Sequence, residues 1–353
     1  MDIDAAWEEY LENGNINENI KLDDNNNYIV PKASELYIST KTKILYLNNS
    51  INLNEIFWNI NIINFDNHIE GVIKKQIKLI SSNKEELDDI KEKIKKYEFY
   101  TEHIITHIEQ TQSDSIIYKD VRKISIGISQ KDILSYRCKQ KSAFYNCFVI
   151  ILRLYDDDNK IFKEIHCKIF NTGKIEIPGV QNNNIFIKSC NFIINLLNNL
   201  SNIDYKIMFE KTETILINSN FHCGFYINRQ KLFNIMRRNY NLNASYDPCS
   251  YPGIQCVYYY DNINKISITN NELIIDNIKK NKDIQKVSFM IFRTGSILIV
   301  GKCSEDVLKI VYEYVKDILI SEYSEIMTRN IDKNIQKEDK ISSKIRKKTI
   351  YIK

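Results

Sequence analysis

Two phenylalanines with matching neighbours are the residues best suited to intermolecular contact in this sequence. Phe170 and Phe292 lie in segments 169–179 and 291–301, which share the frame I-F-x-T-G-x-I-x-I-x-G and begin 122 residues apart (291 − 169 = 122). Phenylalanine offers apolar and ring contacts, and it does not make or break bonds. A duplication with so long a period predicts two copies of one folding unit, arranged as a pseudosymmetric pair.

Residue types that make and break bonds form no comparable pattern. His103 and His107 are spaced i, i+4, but no third metal ligand is evident, so an exposed helical pair is the simpler interpretation. The acidic run 156–158 fits a turn better than a metal site, and the sequence has no P-loop, nucleophile elbow or carboxylate cluster. We therefore expect no enzymatic activity, no cofactor and no small-molecule substrate. Without C-x-x-C spacing, the cysteines are expected to be reduced and mostly buried: Cys138, Cys147, Cys167, Cys190, Cys223, Cys249, Cys256 and Cys303.

Composition places the chain among globular proteins with a weak preference for polyanions. It has 353 residues, of which 43% are hydrophobic, and a formal net charge of +4. That length can bury a full core, whereas so small a positive charge only weakly favours a nucleic-acid partner. No apolar run approaches the roughly 18 residues of a membrane span, and the acidic start lacks the basic region of a signal peptide. An intracellular, soluble protein without a membrane partner is expected.

The elements that must position the two hairpins follow one order in both halves: strand, helix, antiparallel strands, long helix. A Thr-Gly pair forms each hairpin turn, because glycine supplies the positive φ of a tight connection. Apolar periodicity predicts first-half strands at 36–47, 147–154 and 164–169, with helices after Asn52 or Asn54 and over 185–200. It predicts second-half strands at 214–218, 255–260, 265–269, 287–292 and 297–300, with helices over 228–240 and 304–319.

Four regions follow from these patterns: an acidic N-terminal arm at 1–33, a first repeat at 34–205, a second repeat at 206–323, and a basic tail at 324–353 that is expected to be disordered. Within the first repeat, apolar residues at helical spacing among lysine and glutamate predict an amphipathic helical insertion at about 66–115. The arm is either frayed or a short partner-binding helix with one apolar face, formed by Trp7, Tyr10 and Leu11.

The two halves together predict an α+β fold. Each half is interpreted as a curved antiparallel sheet backed by a long helix, and the two sheets can join edge to edge with both long helices on one convex face. The other face is then free for a partner. Aromatic residues on it would form exposed apolar surface, which calls for a function.

Segments of both halves resemble the TATA-box-binding protein family. Segment 246–253, Tyr-Asp-Pro-Cys-Ser-Tyr-Pro-Gly, followed by the 292–296 hairpin and Gly301, is similar to the family's second repeat, and segment 169–174 is similar to the hairpin of its first repeat. The resemblance covers roughly residues 35–320. Abundant Asn, Ile and Lys and the long insertion look most like the versions carried by large nucleocytoplasmic DNA viruses, which implies the host cytoplasm (the viral factory), the virion, or alternatively the nucleus.

The resemblance implies a mechanism of DNA bending. It is an established property of the family that two aromatic wedges per repeat insert between base steps of the minor groove and kink the duplex by about 80°. By position, the wedges here are Phe144, Phe170, Tyr251 and Phe292, with Tyr145 as the alternative to Phe144. The hydroxyl of Tyr251 needs a polar partner that a phenylalanine would not need. Phosphate or groove contacts fall to Arg153, Lys174 and Arg293.

Departures from the family pattern leave two functions open. The family reads bases with an asparagine in the first strand of each repeat, and the nearest equivalents here are Glu35 or Leu36 and Thr214, which weakens direct readout of A·T pairs. One function is a transcription initiation factor that binds and bends A/T-rich promoter DNA and recruits RNA polymerase and other initiation factors. The other is a saddle without strong DNA binding that serves as a protein-interaction subunit of a viral initiation complex. An enzymatic class, suggested by the same unit fused to DNA glycosylases and ribonucleases, lacks catalytic residues in this sequence.

Overall fold

The computed structural model describes residues 30–112, 115–134, 144–268 and 283–328. By its internal contacts the chain divides into two units, 1–32 and 33–353, and every element named below lies in the second unit. Nearly all of the predicted N-terminal arm, including its apolar helix face, lies outside the described residues.

Strands of the first repeat are β1 (Tyr37–Tyr46), β2 (Gly71–Ser81), β3 (Tyr100–Gln112), β4 (Ser115–Gly127), β5 (Cys147–Asp156), β6 (Ile161–Phe170) and β7 (Lys174–Val180). Its helices are α1 (Leu53–Asn59), α2 (Lys84–Lys95), α3 (Gln130–Leu134) and α4 (Asn183–Leu200). Strands of the second repeat are β8 (Glu213–His222), β9 (Tyr226–Ile227), β10 (Asn243–Ser245), β11 (Ile254–Asp261), β12 (Ile266–Ile268), β13 (Ile284–Ile291) and β14 (Ser296–Gly301). It is completed by helices α5 (Arg229–Arg238), α6 (Glu305–Ser321) and α7 (Tyr323–Ile326) and by β15 (Met327–Thr328). The predicted strands and helices outside the insertion are thus confirmed.

Helix starts show that the duplication extends beyond the hairpins. Asn52 caps α1 by accepting a hydrogen bond from the Glu55 amide, and Asn228 caps α5 in the same way from the Lys231 amide, 176 residues later (228 − 52 = 176). Asn182 and Ser304 cap the long helices α4 and α6, again 122 residues apart (304 − 182 = 122). Equivalent residues of the two repeats are therefore 176 apart at the start of α1 and 122 apart after β6 begins.

A single antiparallel sheet joins the two repeats. Among the described residues its order is β10-β11-β13-β14-β8-β1-β7-β6-β5-β2-β4-β3, with β12 also paired to β11. The first strands of the repeats, β1 and β8, pair with each other at the centre: Tyr37 lies opposite Asn220, and Ile44 opposite Glu213. Outward from that pair, β7, β6, β5 and β2 repeat the order β14, β13, β11 and β10, which confirms the predicted α+β arrangement of two tandem repeats.

The insertion differs from the helical one predicted at 66–115. Among its described residues only α2 is helical; residues 71–81 and 100–112 are strands β2 and β3, and His103 and His107 lie on β3, not on a helix. β2 occupies the same place beside β5 as β10 does beside β11, so the insertion lies between β2 and β5. The spacing of Ile73, Ile77 and Ile80 predicted a helix, but a short run of β-branched residues in a strand can have the same spacing, and in β2 only the first two are buried.

Lys75 explains how a lysine-rich segment becomes an internal strand. Its side chain is fully buried, and its ammonium group donates hydrogen bonds to the carbonyl oxygens of Phe57 (2.9 Å) and Ile60 (2.7 Å), at the end of α1. A third bond, of 2.9 Å, reaches the hydroxyl of Tyr97. A cation at the carboxyl end of a helix is favourable, since the last carbonyl groups have no partner within the helix. The Lys75 ammonium group therefore holds β2 against α1, although the sequence pattern predicts that this lysine faces solvent.

Both long helices begin on the same side of the central strands. Lys41 of β1 reaches the Glu305 carboxylate of α6 at 2.6 Å, and Lys43, two residues on, reaches the Asn183 side chain of α4 at 2.8 Å. The cores of the two repeats lie beneath these helices, with Phe148 and Leu197 in one and Phe289 and Leu319 in the other. We call the opposite side of the sheet the open face. Its residues belong to neither core: Thr40, Thr42, Val149, Ile151, His166, Lys168, Phe170, Lys174, Glu176, Pro178, Leu216, Asn218, Asn220, Gln255, Val257, Ser288, Met290, Phe292, Ser296, Leu298 and Val300.

The predicted disordered tail is ordered at its start. Ile326 is completely buried in the second core, and β15 pairs with β9, placing Met327 opposite Ile227. The prediction was wrong for residues 324–328, because two apolar residues, Ile326 and Met327, are too few to show a period in sequence; residues 329–353 lie outside the described part. All seven described cysteines are free and six are buried, as predicted. Burial raises the pKa of Cys190 to about 12 and that of Cys303 to about 11.

Candidate nucleic-acid interface

The two Thr-Gly hairpins have the same geometry, and both require glycine. Gly173 and Gly295 have φ values of 79° and 82°, and each amide donates a 3.0 Å hydrogen bond to the carbonyl of the preceding phenylalanine of its hairpin, Phe170 or Phe292. A Cβ at Gly173 would lie 2.4 Å from the Asn49 carbonyl oxygen, and one at Gly295 would lie 2.1 Å from that of Phe225. Both constraints hold the two phenylalanine rings at the edges of the open face.

In the second repeat the two predicted wedges are already in contact. The rings of Tyr251 and Phe292 have centroids 5.9 Å apart at an interplanar angle of 58°, and both side chains are half-buried. Gly253 makes this approach possible, since a Cβ there would lie 3.0 Å from each ring. The segment 246–253 therefore brings a second aromatic ring beside the hairpin ring, as the resemblance implied.

Strand register assigns the fourth aromatic position to Tyr145 in preference to Phe144. Phe148 pairs with Ile169, and Ile254 pairs with Ile291, the residue equivalent to Ile169. Three residues before Phe148 stands Tyr145, and three before Ile254 stands Tyr251. Both first-repeat candidates are exposed, Phe144 by 64% and Tyr145 by 69%, so register and not burial separates them. Sequence alignment slipped here by one residue because no Pro-Gly pair marks this position in the first repeat.

Cations accompany the rings of the first repeat. The Lys174 ammonium lies 5.0 Å from the centroid of Phe170, and that of Lys78 lies 5.4 Å from the centroid of Tyr145. In the second repeat Ser296 replaces Lys174, but Arg293, within the hairpin turn, is exposed. Lys174 and Arg293 thus retain geometry suited to phosphate contacts, and Lys78 is a cation at this edge that sequence patterns did not single out.

Arg153 does not suit the predicted phosphate contact. It is 5% exposed, and its guanidinium donates hydrogen bonds to the carbonyl oxygens of Phe65 (2.7 Å) and Asn67 (2.8 Å). The same group lies 4.8 Å from the ring centroid of Phe65. Arg153 instead fastens the 61–70 loop to β5, and sequence could not show this because a buried arginine and a surface arginine look alike in an alternating strand.

Polar groups at the centre of the open face are not those nominated by sequence. Thr40 and Asn218 lie opposite each other on β1 and β8, and the Asn218 amide donates a 3.1 Å hydrogen bond to the Thr40 hydroxyl. The nominated Glu35 and Leu36 precede β1, and Thr214 is equivalent to Ile38 (214 − 38 = 176). Bulges in the pairing of β1 with β8 shift which residues face outward, and bulges are not visible in the alternation of a strand.

The chain is similar in sequence to one known protein. Over 243 aligned residues the chain is 22% identical to a protein of Acanthamoeba polyphaga mimivirus named "TATA-box-binding protein-like", with 63% of each chain covered. The chain is similar to the TATA-box-binding proteins. It matches less than two thirds of the length of that curated relative. Among solved structures, a TATA-box-binding protein from Methanococcus jannaschii is 14% identical and is covered over 99% of its length and 82% of this chain, with a TM-score of 0.39. No protein-family model matches the chain.

The first-repeat end of the open face is partly covered by the insertion. The Asp132 carboxylate of α3 contacts the Lys74 ammonium through both oxygens at 2.7 Å and also accepts hydrogen bonds from Ser129. The amide of Gln130 donates to the Glu164 carboxylate of β6 at 2.9 Å. Burial opposes ionisation of Asp132, but the bonds from Lys74 and Ser129 outweigh it and lower its pKa. Helix α3 therefore lies on the open face, whereas the other described helices do not.

The insertion also changes the environment of a histidine on that face. Burial, together with the nearby Lys131 and Lys74, lowers the pKa of His166, which favours the neutral ring. Its equivalent in the second repeat is Ser288 (288 − 166 = 122), on a part of the face that no described helix covers. The two ends of the open face thus differ in their side chains and in whether a described helix covers them. Among the described residues there is no cluster suited to a metal ion and no helix long and apolar enough to cross a membrane.

Proposed function

We propose that the open face binds duplex DNA in the minor groove and bends it, with aromatic side chains of both repeats acting as wedges. The observation that carries this proposal is the contact between Tyr251 and Phe292 at one end of the face, with Phe170 and Tyr145 at the equivalent positions of the other end. Rings placed at both ends of an open sheet can enter two separated base steps and replace part of the lost stacking. Bending follows because both insertions open the same groove.

Surface chemistry between the wedges also supports minor-groove binding. Leu216, Leu298 and Val300 form an apolar, partly exposed surface next to the Thr40–Asn218 pair. An apolar surface with few polar groups suits the floor of an A/T-rich groove, which presents only acceptors. Lys174 and Arg293 stand at the edges, where phosphates would lie.

Fluorescence energy transfer across an A/T-rich duplex tests the proposal by measuring bend and affinity together. We expect Phe170→Ala and Phe292→Ala each to weaken binding roughly tenfold or more, because ring–base stacking is worth ~1–3 kcal/mol, and the double variant to abolish the bend. Phe209→Ala is the matched control, since Phe209 is 59% exposed but lies beside α4 residues such as Ile194. Equal, unbent binding by the wild type and the double variant would refute the wedge mechanism.

A second function is favoured by the acidic groups on the first-repeat face. Asp132, Glu164 and Glu176 all lie there, and carboxylates repel phosphates. In this alternative the chain is a protein-interaction subunit of a viral initiation complex and does not bind DNA strongly. Failure of the wild-type chain to bind A/T-rich duplex at low salt, where electrostatic attraction is greatest, selects this alternative.

RNA polymerase and other initiation factors are the proposed partners of the helix face. Ile187 of α4 and Ile310 and Ile320 of α6 are exposed there, opposite the proposed DNA surface. Partners docked on that side would leave the wedges free. The proposed place of action is the site of viral transcription, in the host cytoplasm or virion, with the nucleus as the alternative.

A further inference from the structure

The two halves of the open face differ most in the row just inside the hairpin wedges. In the first repeat this row contains Glu176 of β7 opposite Lys168 of β6, and the carboxylate and ammonium are 2.6 Å apart. In the second repeat the equivalent residues are Leu298 and Met290, which also lie opposite each other. Glu176 and Leu298 are 122 residues apart, and so are Lys168 and Met290, which is the separation of the two hairpins (298 − 176 = 122; 290 − 168 = 122).

Stability of the fold does not require this ion pair. The second repeat builds the same strands with Leu298 and Met290, and removing charges partly from water costs more than burying apolar groups. The side chains of Glu176 and Lys168 are only 17% and 34% exposed, so the pair carries part of that cost. Its hydrogen bond uses one carboxylate oxygen, Oε1, and within the described part of the chain no group donates a hydrogen bond to Oε2. An acceptor is therefore available at this position of the open face.

The minor groove contains one group that an acceptor can select. A·T and T·A pairs present only acceptors there, whereas a G·C pair adds the 2-amino donor of guanine. A carboxylate beside an ammonium presents one acceptor and one donor, which complements the donor and flanking acceptors of G·C. Against A·T the same carboxylate would face acceptors and lose solvation without gaining a bond. Leu298 and Met290 have the reverse preference, because an apolar surface leaves the guanine amino group unpaired.

We infer that the face reads a two-part site: A·T pairs against the second repeat, and a G·C pair, accepted by Glu176 with Lys168, against the first. The inference rests on the proposed minor-groove function and makes the site directional. DNA would bind in one orientation because each half of the duplex matches only one repeat. This preference is a property of the Glu176–Lys168 pair, not of the wedges, which occur in both halves.

The test is a series of bent-duplex binding measurements with one A·T pair at a time changed to G·C or to inosine·C. Inosine lacks the 2-amino group and otherwise pairs with cytosine as guanine does, so it isolates that one donor. An iron-chelate cleavage reagent on the exposed Cys249, in a chain carrying Cys138→Ser, reports which end of the DNA lies against the second repeat. Wild-type protein should bind G·C at the first-repeat position at least as tightly as A·T, and about tenfold more tightly than inosine·C. At the second-repeat position, G·C should weaken binding about tenfold.

Matched variants separate recognition from folding. The double variant Glu176→Leu, Lys168→Met copies the second repeat and should convert the first-repeat preference into a tenfold penalty for G·C. The double variant Leu298→Glu, Met290→Lys, which keeps Glu176 and Lys168, should add a G·C preference at the second-repeat position, which a purely structural ion pair would not do. The inference is overturned if wild-type protein treats G·C and inosine·C alike at the first-repeat position. If the wild-type protein neither binds nor bends any of the duplexes, including the one with only A·T pairs, the proposed function is refuted instead.

Discussion

Lys41 of β1 lies opposite Ile217 of β8, and these two residues occupy the same position in the two repeats, 176 apart (217 − 41 = 176). By the same offset Thr40 is equivalent to Leu216 and Thr42 to Asn218. Across the two strands Thr40 lies opposite Asn218 and Thr42 lies opposite Leu216, as a twofold axis requires. The Lys41–Ile217 pair therefore marks the pseudo-twofold axis of the sheet. At that axis the repeats already differ in chemistry, since Lys41 reaches Glu305 across the helix face and Ile217 packs into the second core. A symmetric backbone with asymmetric side chains is what the proposed directional DNA site requires.

Replacement of Gly295 tests how strictly the hairpin turn is constrained. Gly295→Ala should destabilise the protein severely, because a Cβ would lie 2.1 Å from a backbone oxygen at a positive φ of 82°. Gly179→Ala is the matched control, with φ of 79° and no atom within 4 Å of the added Cβ. We expect the control to cost only the conformational strain of about 1 kcal/mol. Chemical denaturation of both variants measures the difference, and equal losses would contradict the steric explanation.

Buried Lys75 should make stability depend on pH. Burial lowers its pKa from 10.5 to about 8, so the folded protein releases this proton near pH 8 and the unfolded chain only near 10.5. Between these values the unfolded chain binds more protons, and the stability of the fold rises with pH by at most about 1.4 kcal/mol per unit from this group.

Comparison with Lys75→Met isolates the effect of Lys75. Cysteine and tyrosine residues contribute equally to the pH dependence of unfolding in both proteins, so their contributions cancel in the difference. We expect the wild-type advantage in unfolding free energy to grow from pH 7.5 to pH 9.5. Urea denaturation at several pH values measures it. A difference that stays constant or shrinks over this range would show that Lys75 ionises as an exposed lysine does.

Salt dependence should separate Lys174 from Arg153. Lys174→Ala should reduce the slope of log K against log salt by about 1, as expected when one phosphate contact is lost. Arg153→Met should leave that slope unchanged, because its guanidinium is bonded to the Phe65 and Asn67 carbonyls. It should instead lower the free energy of unfolding by about 1–3 kcal/mol, since the two hydrogen bonds from a charged donor are lost. A reduced slope in Arg153→Met would restore the phosphate role that sequence suggested.

Disruption of α3 should uncover the first-repeat end of the face. Asp132→Ala removes both contacts to Lys74 and the bonds from Ser129, which hold α3 on β2. We expect tighter DNA binding by a few-fold and a hydroxyl-radical footprint that extends further at the first-repeat end, because Lys74 becomes available and a carboxylate is lost. Glu305→Ala, which breaks the Lys41 pair on the helix face, is the control and should change neither measurement. An unchanged footprint in Asp132→Ala would show that α3 does not restrict the DNA.

Most of the two-repeat architecture was predictable, because the duplicated frame fixed the hairpins and glycine and cap residues fixed their boundaries. Phe170, Tyr251 and Phe292 could be nominated for the same reason, as each lies in a duplicated or family-like segment. The strand β2 and the ordered residues 324–328 were not predictable. The apolar spacing of β2 suits a helix and a strand equally, and its packing against α1 decides between them. Residues 324–328 are too few to show a period, and pairing with β9 determines their conformation.

The amino-acid sequence by itself determined the duplication, its hairpin turns and the aromatic residues beside them, since these depend on local conformation and on residue identity. Tertiary structure alone decided which side chains face outward. Bulges in the central strands shift the alternation, register selects Tyr145, and Arg153 and Lys75 are buried by loops and helices that are distant in sequence. It also set Glu176 beside Lys168 where the other repeat has Leu298 beside Met290. Cross-strand pairing, which no local pattern encodes, is the physical reason that this difference emerges only in the folded sheet.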